Sequence, residues 1–226
     1  TTMAPTTQPA TWPILDAATG SLSSPSKMPC YSWSIPAEQC AVGSLLRKIK
    51  GSTCSTCYAL KGNYKRYPNV SKALVRRLDA WKSDRTGWIQ AMAASISKRK
   101  NPYFRWFDSG DLQGLEMLQD IVEVCKLTPE VSHWLPTREN AVLTAYVLEF
   151  GELPDNLTPR RSAAMIGETL EPASKGPLKD IPVSMVHTDE APKGSYACPS
   201  SKQKGKCLDC RACWSKDIKQ VSYAAH

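Results

Sequence analysis

The sequence predicts an α/β fold whose sheet is largely parallel. Short apolar segments typical of strands begin near residues 103, 131, 157 and 182, which is the spacing of successive strand–helix crossovers. Amphipathic helices are predicted between them, over 112–126 and 138–150. Because crossover connections are right-handed, strands joined in this way run parallel. An open sheet and a partial (β/α)-barrel both fit this order, and we expect the barrel-like form.

The predicted strands are short and apolar. They are Tyr103–Phe107, Val131–Leu135, a segment within Leu157–Ile166, and Pro182–Val186. Upstream of them, apolar residues at helical spacing predict two further helices, over 69–83 and 86–99, whose opposite faces carry Lys and Arg.

The chain is expected to form one folded domain preceded by an arm. Residues 1–29 are rich in Thr, Pro, Ser and Ala, which is typical of a disordered segment; if ordered, it must pack on the body or on a neighbouring subunit. Residues 30–226 are interpreted as a single α/β domain that includes a cysteine module at 198–214. No stretch has the roughly 20 apolar residues that cross a bilayer, and no signal peptide is recognisable, so we expect an intracellular, reducing location and no secretion.

The positive charge of the chain is concentrated in one region. The net charge is +8, and residues 41–101 contain 14 Lys and Arg against two acidic residues. Such a region can attract nucleic acid or another polyanion. The alternative is a set of amphipathic helices whose basic faces are simply solvated.

Four cysteines near the C-terminus have a spacing typical of metal ligands. Cys207, Cys210 and Cys213 form a C-x2-C-x2-C run, and Cys198, followed by Pro199, precedes it across a loop. In a reducing compartment nine cysteines are not expected to form disulfides. Bacterial ferredoxins hold iron–sulfur clusters with the same run, so we expect a [4Fe–4S] cluster here. The alternative is a zinc ion with four cysteine ligands, although zinc sites usually show two separated C-x2-C pairs.

A second group of cysteines lies near the N-terminus: Cys30, Cys40, Cys54 and Cys57. Together with Cys40, the pair in C-x2-C-Y is a second candidate set of metal ligands; a dithiol or an inert buried pair are the alternatives. The pair is similar to the end of a radical S-adenosylmethionine loop, but that loop requires C-x3-C-x2-C, and Lys50 stands where its first cysteine would be. This departure argues against ordinary radical chemistry. Cys125 lies on the apolar face of a predicted helix and is assigned to the core.

Polar residues follow most of the predicted strands. The candidate site residues are Asp108, Asp111, Arg138, Arg161 and His187. Since the carboxyl ends of parallel strands line the ligand site in such folds, we hypothesise that these side chains face one pocket for a small polar or anionic ligand. His187 would be available for proton transfer. The alternative is that the aspartates cap helices and the arginines make surface ion pairs; Arg161 is the weakest member, because it falls inside its strand region.

Seven short motifs are distributed along the chain after about residue 27. They are G-S-T-C-S-T-C-Y-A-L-K-G-N-Y (51–64), F-R-W-F-D-S-G-D-L-Q (104–113), W-L-P-T-R-E (134–139), N-L-T-P-R-R-S-A (156–163), C-P (198–199), C-L-D-C-R-A-C-W (207–214) and V-S-Y-A-A-H (221–226). In combination they resemble the bacteriophage gene product 88 family. Phe107 stands where a W-H-D-S-G-D version of the second motif would have histidine. The resemblance implies a phage-encoded, cysteine-rich protein in the cytoplasm of the infected cell, from a family without an established activity.

Three functions remain open at this stage. The first is an iron–sulfur protein used for electron transfer or for an uncharacterised redox reaction. The second is a zinc-stabilised accessory protein that binds nucleic acid through the basic 41–101 region. The third is a virion or assembly component, suggested only by the arm. The sequence decides neither the oligomeric state nor whether the protein is an enzyme.

Overall fold

The computed structural model describes residues 10–225, apart from the side chain of Asn63. Its strands are β1 Tyr31–Trp33, β2 Tyr103–Trp106, β3 Ser132–Thr137, β4 Leu157–Ser162, β5 Val183–His187, β6 Tyr196–Ala197 and β7 Gln220–Ala224. Its α-helices are α1 Trp12–Thr19, α2 Ala41–Leu46, α3 Gly62–Arg66, α4 Pro68–Ser83, α5 Arg85–Lys98, α6 Leu115–Leu127 and α7 Asn140–Phe150. Every strand pair of the seven-stranded sheet is parallel, which confirms the α/β class and the parallel sheet.

The sheet is open, and this corrects the barrel-like part of the prediction. The strand order is β1-β2-β3-β4-β5-β7-β6, so β1 and β6 are edges that do not pair with each other. The first five strands follow chain order, as in a barrel. After β5, however, β7 takes the next place and the two-residue β6 lies outside it, so the winding reverses and the sheet does not close.

One face of the sheet is covered by helices and forms the main core. Alternation along each strand sends Phe104 and Trp106 of β2, Leu135 of β3 and Leu157 of β4 to the same side. These side chains are almost completely buried against α4, α5, α6 and α7. We call this side the helical face. Cys125, on α6, is fully buried in the same core, which confirms its assignment as a core residue.

The opposite side is covered by the C-terminal segment and is called the cysteine face. It carries Tyr103, Trp134 and Val221, which pack with Cys213 and Trp214 in a separate apolar cluster. The sheet therefore separates two environments: a conventional apolar core on one side and a cysteine-rich layer on the other.

The residues preceding β1 pack on the body of the protein. Helix α1 lies against α4 and α5, and the Trp12 ring is covered by Arg99, whose Cζ is 4.1 Å from the ring centroid. Gly20 ends α1 with φ 74°, and a Cβ there would lie 2.5 Å from Arg77 Cα. The part of the predicted arm before residue 10 lies outside the described residues.

Sequence periodicity located most of the larger elements within a few residues. Helix α6 begins at Leu115, later than the predicted 112, because Gly114 has φ 144° and interrupts the regular backbone. The prediction has no counterpart of strands β1, β6 and β7 or of helices α1, α2 and α3, and α1 lies within the arm that composition predicted to be disordered. Strand β1 has only three residues and lies between cysteine- and proline-rich segments. Over residues 10–225 no helix combines the length and the apolar character that crossing a bilayer requires.

Candidate metal centre

The C-terminal cysteine module, Cys198, Cys207, Cys210 and Cys213, is fixed to the cysteine face by polar contacts as well as by packing. The Trp214 indole N–H donates to the Phe104 carbonyl at 2.8 Å, and the Thr158 hydroxyl donates to the Trp214 carbonyl at 2.9 Å. Since Phe104 and Thr158 lie in β2 and β4, the module spans the middle of the sheet.

A buried arginine holds the same segment in place. The Arg160 guanidinium donates to the carbonyls of Val183, Ile218, Ala212 and Ser215 at 3.0–3.1 Å. The side chain is fully buried. Because unpaired carbonyls in such a place are costly, Arg160 acts as a fourfold anchor between β4, β5 and the cysteine module. No motif indicates this role for Arg160; the sequence predicts a site role only for its neighbour, Arg161.

The four cysteines of the module come together beneath β7. Cys198, Cys210 and Cys213 pack in one apolar cluster. The pKa of Cys207 is raised mainly by burial and, to a smaller extent, by the neighbouring thiols of Cys198 and Cys210. Two tyrosines accompany them: the Tyr196 hydroxyl is 3.4 Å from Cys210 Sγ, and the Tyr223 hydroxyl is 3.2 Å from Cys213 Sγ. Burial raises the pKa of the Cys213 thiol to about 12.

Cys30 belongs to this group and not to the N-terminal cysteines with which the sequence associated it. It immediately precedes β1 and packs in the same cluster as Cys213. Burial raises its pKa to about 12, and Arg105 opposes that shift. The group of cysteines on the cysteine face therefore has five thiols, Cys30 and the four of the module, drawn from both ends of the chain.

The thiols are not arranged around a single ion. Among residues 10–225, no three Cys, His, Asp or Glu side chains are placed to hold one metal ion. The structure therefore does not show the predicted metal-binding module; it shows a packed group of cysteines, without the convergence of ligand atoms on one point that a single ion needs.

Arg105, which sequence reasoning did not select, lies between the cysteines. Its guanidinium stacks on Trp134 and donates to Met28 Sδ at 3.1 Å and to the Phe107 carbonyl at 3.3 Å. Its positive charge opposes the raised pKa values of Cys207 and Cys213. A motif search cannot find this residue, because nothing in the sequence F-R-W-F distinguishes a cluster-facing arginine from a surface one.

The N-terminal cysteine triad, Cys40, Cys54 and Cys57, lies at the carboxyl edge of the sheet. Burial, with smaller contributions from Asp111, Cys57 and Cys54, raises the pKa of Cys40 to about 12. Burial likewise raises the pKa of Cys54, against the positive charge of Arg138. The triad thus gathers beside Asp111 and Arg138, two of the predicted site residues.

Asp111 connects the ends of two strands. Its Oδ1 accepts from the Thr137 hydroxyl at 2.5 Å and from the Leu112 N–H at 2.8 Å, and its Oδ2 accepts from the Arg138 N–H at 2.8 Å. Burial raises its pKa to about 6, although these hydrogen bonds act in the opposite direction. Asp108 lies nearby on the same edge, where it accepts from the hydroxyls of Ser34 and Tyr64.

Arg161 and His187 are placed differently from these three residues. Arg161 lies inside β4 on the helical face, where its Nη2 donates to the Glu171 carbonyl at 3.4 Å. Its register partner in β5 is Val183, four residues before His187, so the two sit roughly 13 Å apart along the strand direction. His187 Nδ1 is 2.6 Å from the Ser222 hydroxyl of β7. The structure therefore brings Asp108, Asp111 and Arg138 together just beyond β2 and β3. Arg161, whose register partner is Thr137, and His187, the last residue of β5, also lie near the carboxyl ends of their strands, but their hydrogen bonds go to Glu171 and Ser222.

Several basic residues of the 41–101 region hold α1 in place. Arg77 is buried and donates to the Ser21 carbonyl at 2.7 Å, and Arg76 donates to the Gly20 carbonyl at 3.3 Å. Lys98 and Arg99 lie over the Trp12 ring. These side chains have structural partners within the chain, while other basic residues of the region, such as Lys48 and Arg66, remain exposed.

The fold and the site together define an α/β protein with an open parallel sheet that bears one cysteine group on its face and another at its carboxyl edge. A profile of the family described as Gene product 88 matches residues 8–216. The chain therefore belongs to the phage gene product 88 family, as its motifs predicted. No curated protein and no solved structure matches the chain.

Proposed function

We propose that the C-terminal cysteine module binds a [4Fe–4S] cluster that serves in electron transfer or in a redox reaction. The observation that carries the proposal is the packing of Cys198, Cys207, Cys210 and Cys213 in one layer on the sheet, at the spacing that iron–sulfur proteins use. Cys30 is the neighbouring fifth thiol, and we assign it no ligand role.

The spacing of the cysteines favours a cluster over zinc. Zinc sites usually show two separated C-x2-C pairs, whereas Cys207, Cys210 and Cys213 form a continuous C-x2-C-x2-C run like that of bacterial ferredoxins. Arg105 supplies positive charge beside a centre whose thiolates and sulfides are negative.

Anaerobic reconstitution with iron and sulfide tests this proposal. The reconstituted protein is expected to be brown, with broad visible absorbance that bleaches on reduction. Replacing Cys207 and Cys210 by alanine together should remove about four irons and four sulfides per chain. Zinc in place of iron, or an unchanged iron content in the double variant, would contradict the proposal.

Cys125→Ala is the matched control for these substitutions. It also removes one thiol, but from the core beneath α6 and away from both cysteine groups. Its iron content should equal that of the wild-type protein. Loss of iron in Cys125→Ala would show that general destabilisation, and not ligand removal, explains the double variant.

A further inference from the structure

The loop that follows β1 is tied across the carboxyl edge of the sheet. Just after Cys40, the Val42 N–H donates to Glu139 Oε1 at 2.9 Å, and Glu139 follows β3. Just before Cys54, the Thr53 N–H donates to the Ala164 carbonyl at 2.9 Å, and Ala164 follows β4. Cys40 and Cys54, which are 14 residues apart in the chain, are therefore held over the ends of the neighbouring strands β3 and β4, where parallel α/β proteins place ligands.

Gly43 lets two of the cysteines pack closely against α2. A Cβ at this position would lie 2.9 Å from Cys40 Cβ, 3.6 Å from Cys54 Sγ and 3.7 Å from Cys40 Sγ. Gly43 has helical backbone geometry within α2, so its lack of a side chain serves this close packing and not a special φ angle. Cys57 is joined to Cys54 by a turn in which its N–H donates to the Cys54 carbonyl at 3.2 Å.

The triad has no fourth cysteine. Of the nine cysteines, five form the group on the cysteine face and Cys125 lies in the core, which leaves Cys40, Cys54 and Cys57. The nearby Asp111 carboxylate already accepts three hydrogen bonds, and Glu139 Oε1 accepts one from the loop itself. A cluster held by these thiols would leave one iron without a protein ligand.

Arg138 provides a cation beside this open position. Its Nη2 donates to the Thr53 hydroxyl at 2.6 Å, which directs the guanidinium toward the segment that carries Cys54. Its Nε is buried and has no hydrogen-bond partner in the described part of the chain. Guanidinium groups bind carboxylates with charge-assisted hydrogen bonds.

We propose that Cys40, Cys54 and Cys57 hold a second [4Fe–4S] cluster whose fourth iron binds an α-amino carboxylate ligand, with Arg138 next to the carboxylate. Catalytic metal sites keep an open position in this way, whereas structural sites are closed by protein ligands. This centre extends the proposed function, because the module on the cysteine face would be closed and suited to electron transfer, while the triad would bind a small molecule.

The fold supplies a third thiol that the spacing of cysteines in the sequence does not. A C-x3-C-x2-C loop supplies three thiols within eight residues, and Lys50 breaks that pattern here. In the folded chain the third thiol is Cys40, brought to Cys54 by the contacts of Val42 and Thr53. S-Adenosylmethionine carries an α-amino carboxylate, and it is the probe that we choose for the open iron.

Iron content separates the two centres. We expect about eight irons per chain in the wild-type protein and about four in Cys54→Ala/Cys57→Ala, as in Cys207→Ala/Cys210→Ala. Gly43→Val, whose side chain would collide with Cys40 and displace it relative to Cys54, should also lose only the irons of the triad. An iron content unchanged by Cys54→Ala/Cys57→Ala overturns the second centre and leaves the first intact; the converse result overturns the first alone.

Magnetic resonance then tests the ligand. Cys207→Ala/Cys210→Ala, reduced with dithionite, is mixed with S-adenosylmethionine labelled with 15N in its amino group and with 17O in its carboxylate. Hyperfine coupling of both labels to the cluster is expected, and adenosine, which lacks the amino carboxylate, should leave the spectrum unchanged. Absence of coupling overturns the proposal.

Two further measurements cover a folding defect in the double variant and test the role of Arg138. If near-ultraviolet circular dichroism shows that Cys207→Ala/Cys210→Ala does not fold, the labelled probe is applied to the wild-type protein, and the coupling must disappear in Cys57→Ala. Arg138→Met should weaken binding of the probe at least about tenfold, the loss expected for one charge-assisted hydrogen bond, while Arg138→Lys should recover part of it. Equal affinity in all three proteins would remove Arg138 from the site.

Discussion

The guanidinium of Arg105 lies against the indole of Trp134, with its Cζ 4.4 Å from the ring centroid. Burial lowers the pKa of Arg105, but Tyr58 and Asp108 more than reverse this effect, so the pKa stays above its ordinary value. The stacked guanidinium is therefore a permanent positive charge within the cysteine layer.

Arg105→Met is expected to lower the reduction potential of the cluster on the C-terminal cysteine module. A nearby positive charge favours the reduced, more negative cluster, and an interaction of about 1–2 kcal/mol corresponds to about 50–100 mV for one electron. A redox titration monitored by electron paramagnetic resonance measures the shift. Lys202→Met, which removes an exposed charge near Cys198, is the control; equal shifts in both variants would contradict a specific role for Arg105.

Arg160→Met is expected to destabilise the protein by about 3–5 kcal/mol, because it removes the guanidinium donor from four carbonyls, two of which are bonded in the buried interior. Arg161→Met is the matched control on the adjacent residue. Arg161 makes a single 3.4 Å hydrogen bond, to Glu171, so we expect a loss of about 1 kcal/mol. Urea unfolding of the two variants provides the comparison, and a similar loss in both would refute the anchoring role.

Because His133 is buried in its neutral form, we expect the protein to lose stability in acid. His133 is completely buried and accepts from the Trp106 indole at 3.2 Å, while its other nitrogen is 2.8 Å from the Thr128 hydroxyl. Burial lowers its pKa from 6.5 to about 3. Between pH 6.5 and about 3, His133 is protonated in the unfolded chain but not in the folded protein. The free energy of unfolding therefore falls as the pH decreases through this range.

The expected slope from His133 is about 1.4 kcal/mol per pH unit below pH 6.5. His133→Gln keeps a hydrogen-bonding side chain without this titration, and its stability should vary less with pH by that amount. Urea midpoints of both proteins between pH 6.5 and 4.5 measure the difference. Parallel pH profiles would show that His133 is not the responsible group.

If the basic 41–101 region binds nucleic acid, its exposed residues must make the contacts. We expect Lys48→Ala/Lys50→Ala/Arg66→Ala to weaken binding and to reduce the slope of affinity against salt, because each lost phosphate contact releases one counterion fewer. Fluorescence anisotropy with a duplex and with a single strand provides the measurement. No binding by the wild-type protein at about 50 mM salt, where phosphate contacts contribute strongly, would exclude this function.

Arg77→Met is unsuitable for that comparison. The Arg77 side chain is buried and holds the Ser21 carbonyl, so its removal should displace α1 and reduce stability whether or not nucleic acid binds.

Local periodicity was sufficient to predict the four longest helices, α4 to α7, and four of the seven described strands. Most apolar positions of α6, for example, recur at helical spacing and face the core, so the pattern alone places Leu118, Ile121 and Cys125. The same regular spacing of elements predicted a parallel sheet. Strand β1 was beyond this method, since three residues are too few to show an alternating pattern.

The order of strands depends on information that local periodicity does not contain. Nothing in residues 182–226 indicates that β7 inserts between β5 and β6, and this insertion is what leaves the sheet open. It also places Tyr223 of β7 beside Cys213.

By itself, the sequence determined the α/β class, the family and the four-cysteine module, because each is encoded by residues close together in the chain. Only the tertiary structure decided that Cys30 joins that module, that Cys40 lies with Cys54, and that Arg105 faces thiols from both ends of the chain. These contacts connect residues that are far apart in sequence, and they arise from strand order and from hydrogen bonds such as Val42 to Glu139. A short motif cannot encode such convergence, because packing of the whole sheet brings the residues together.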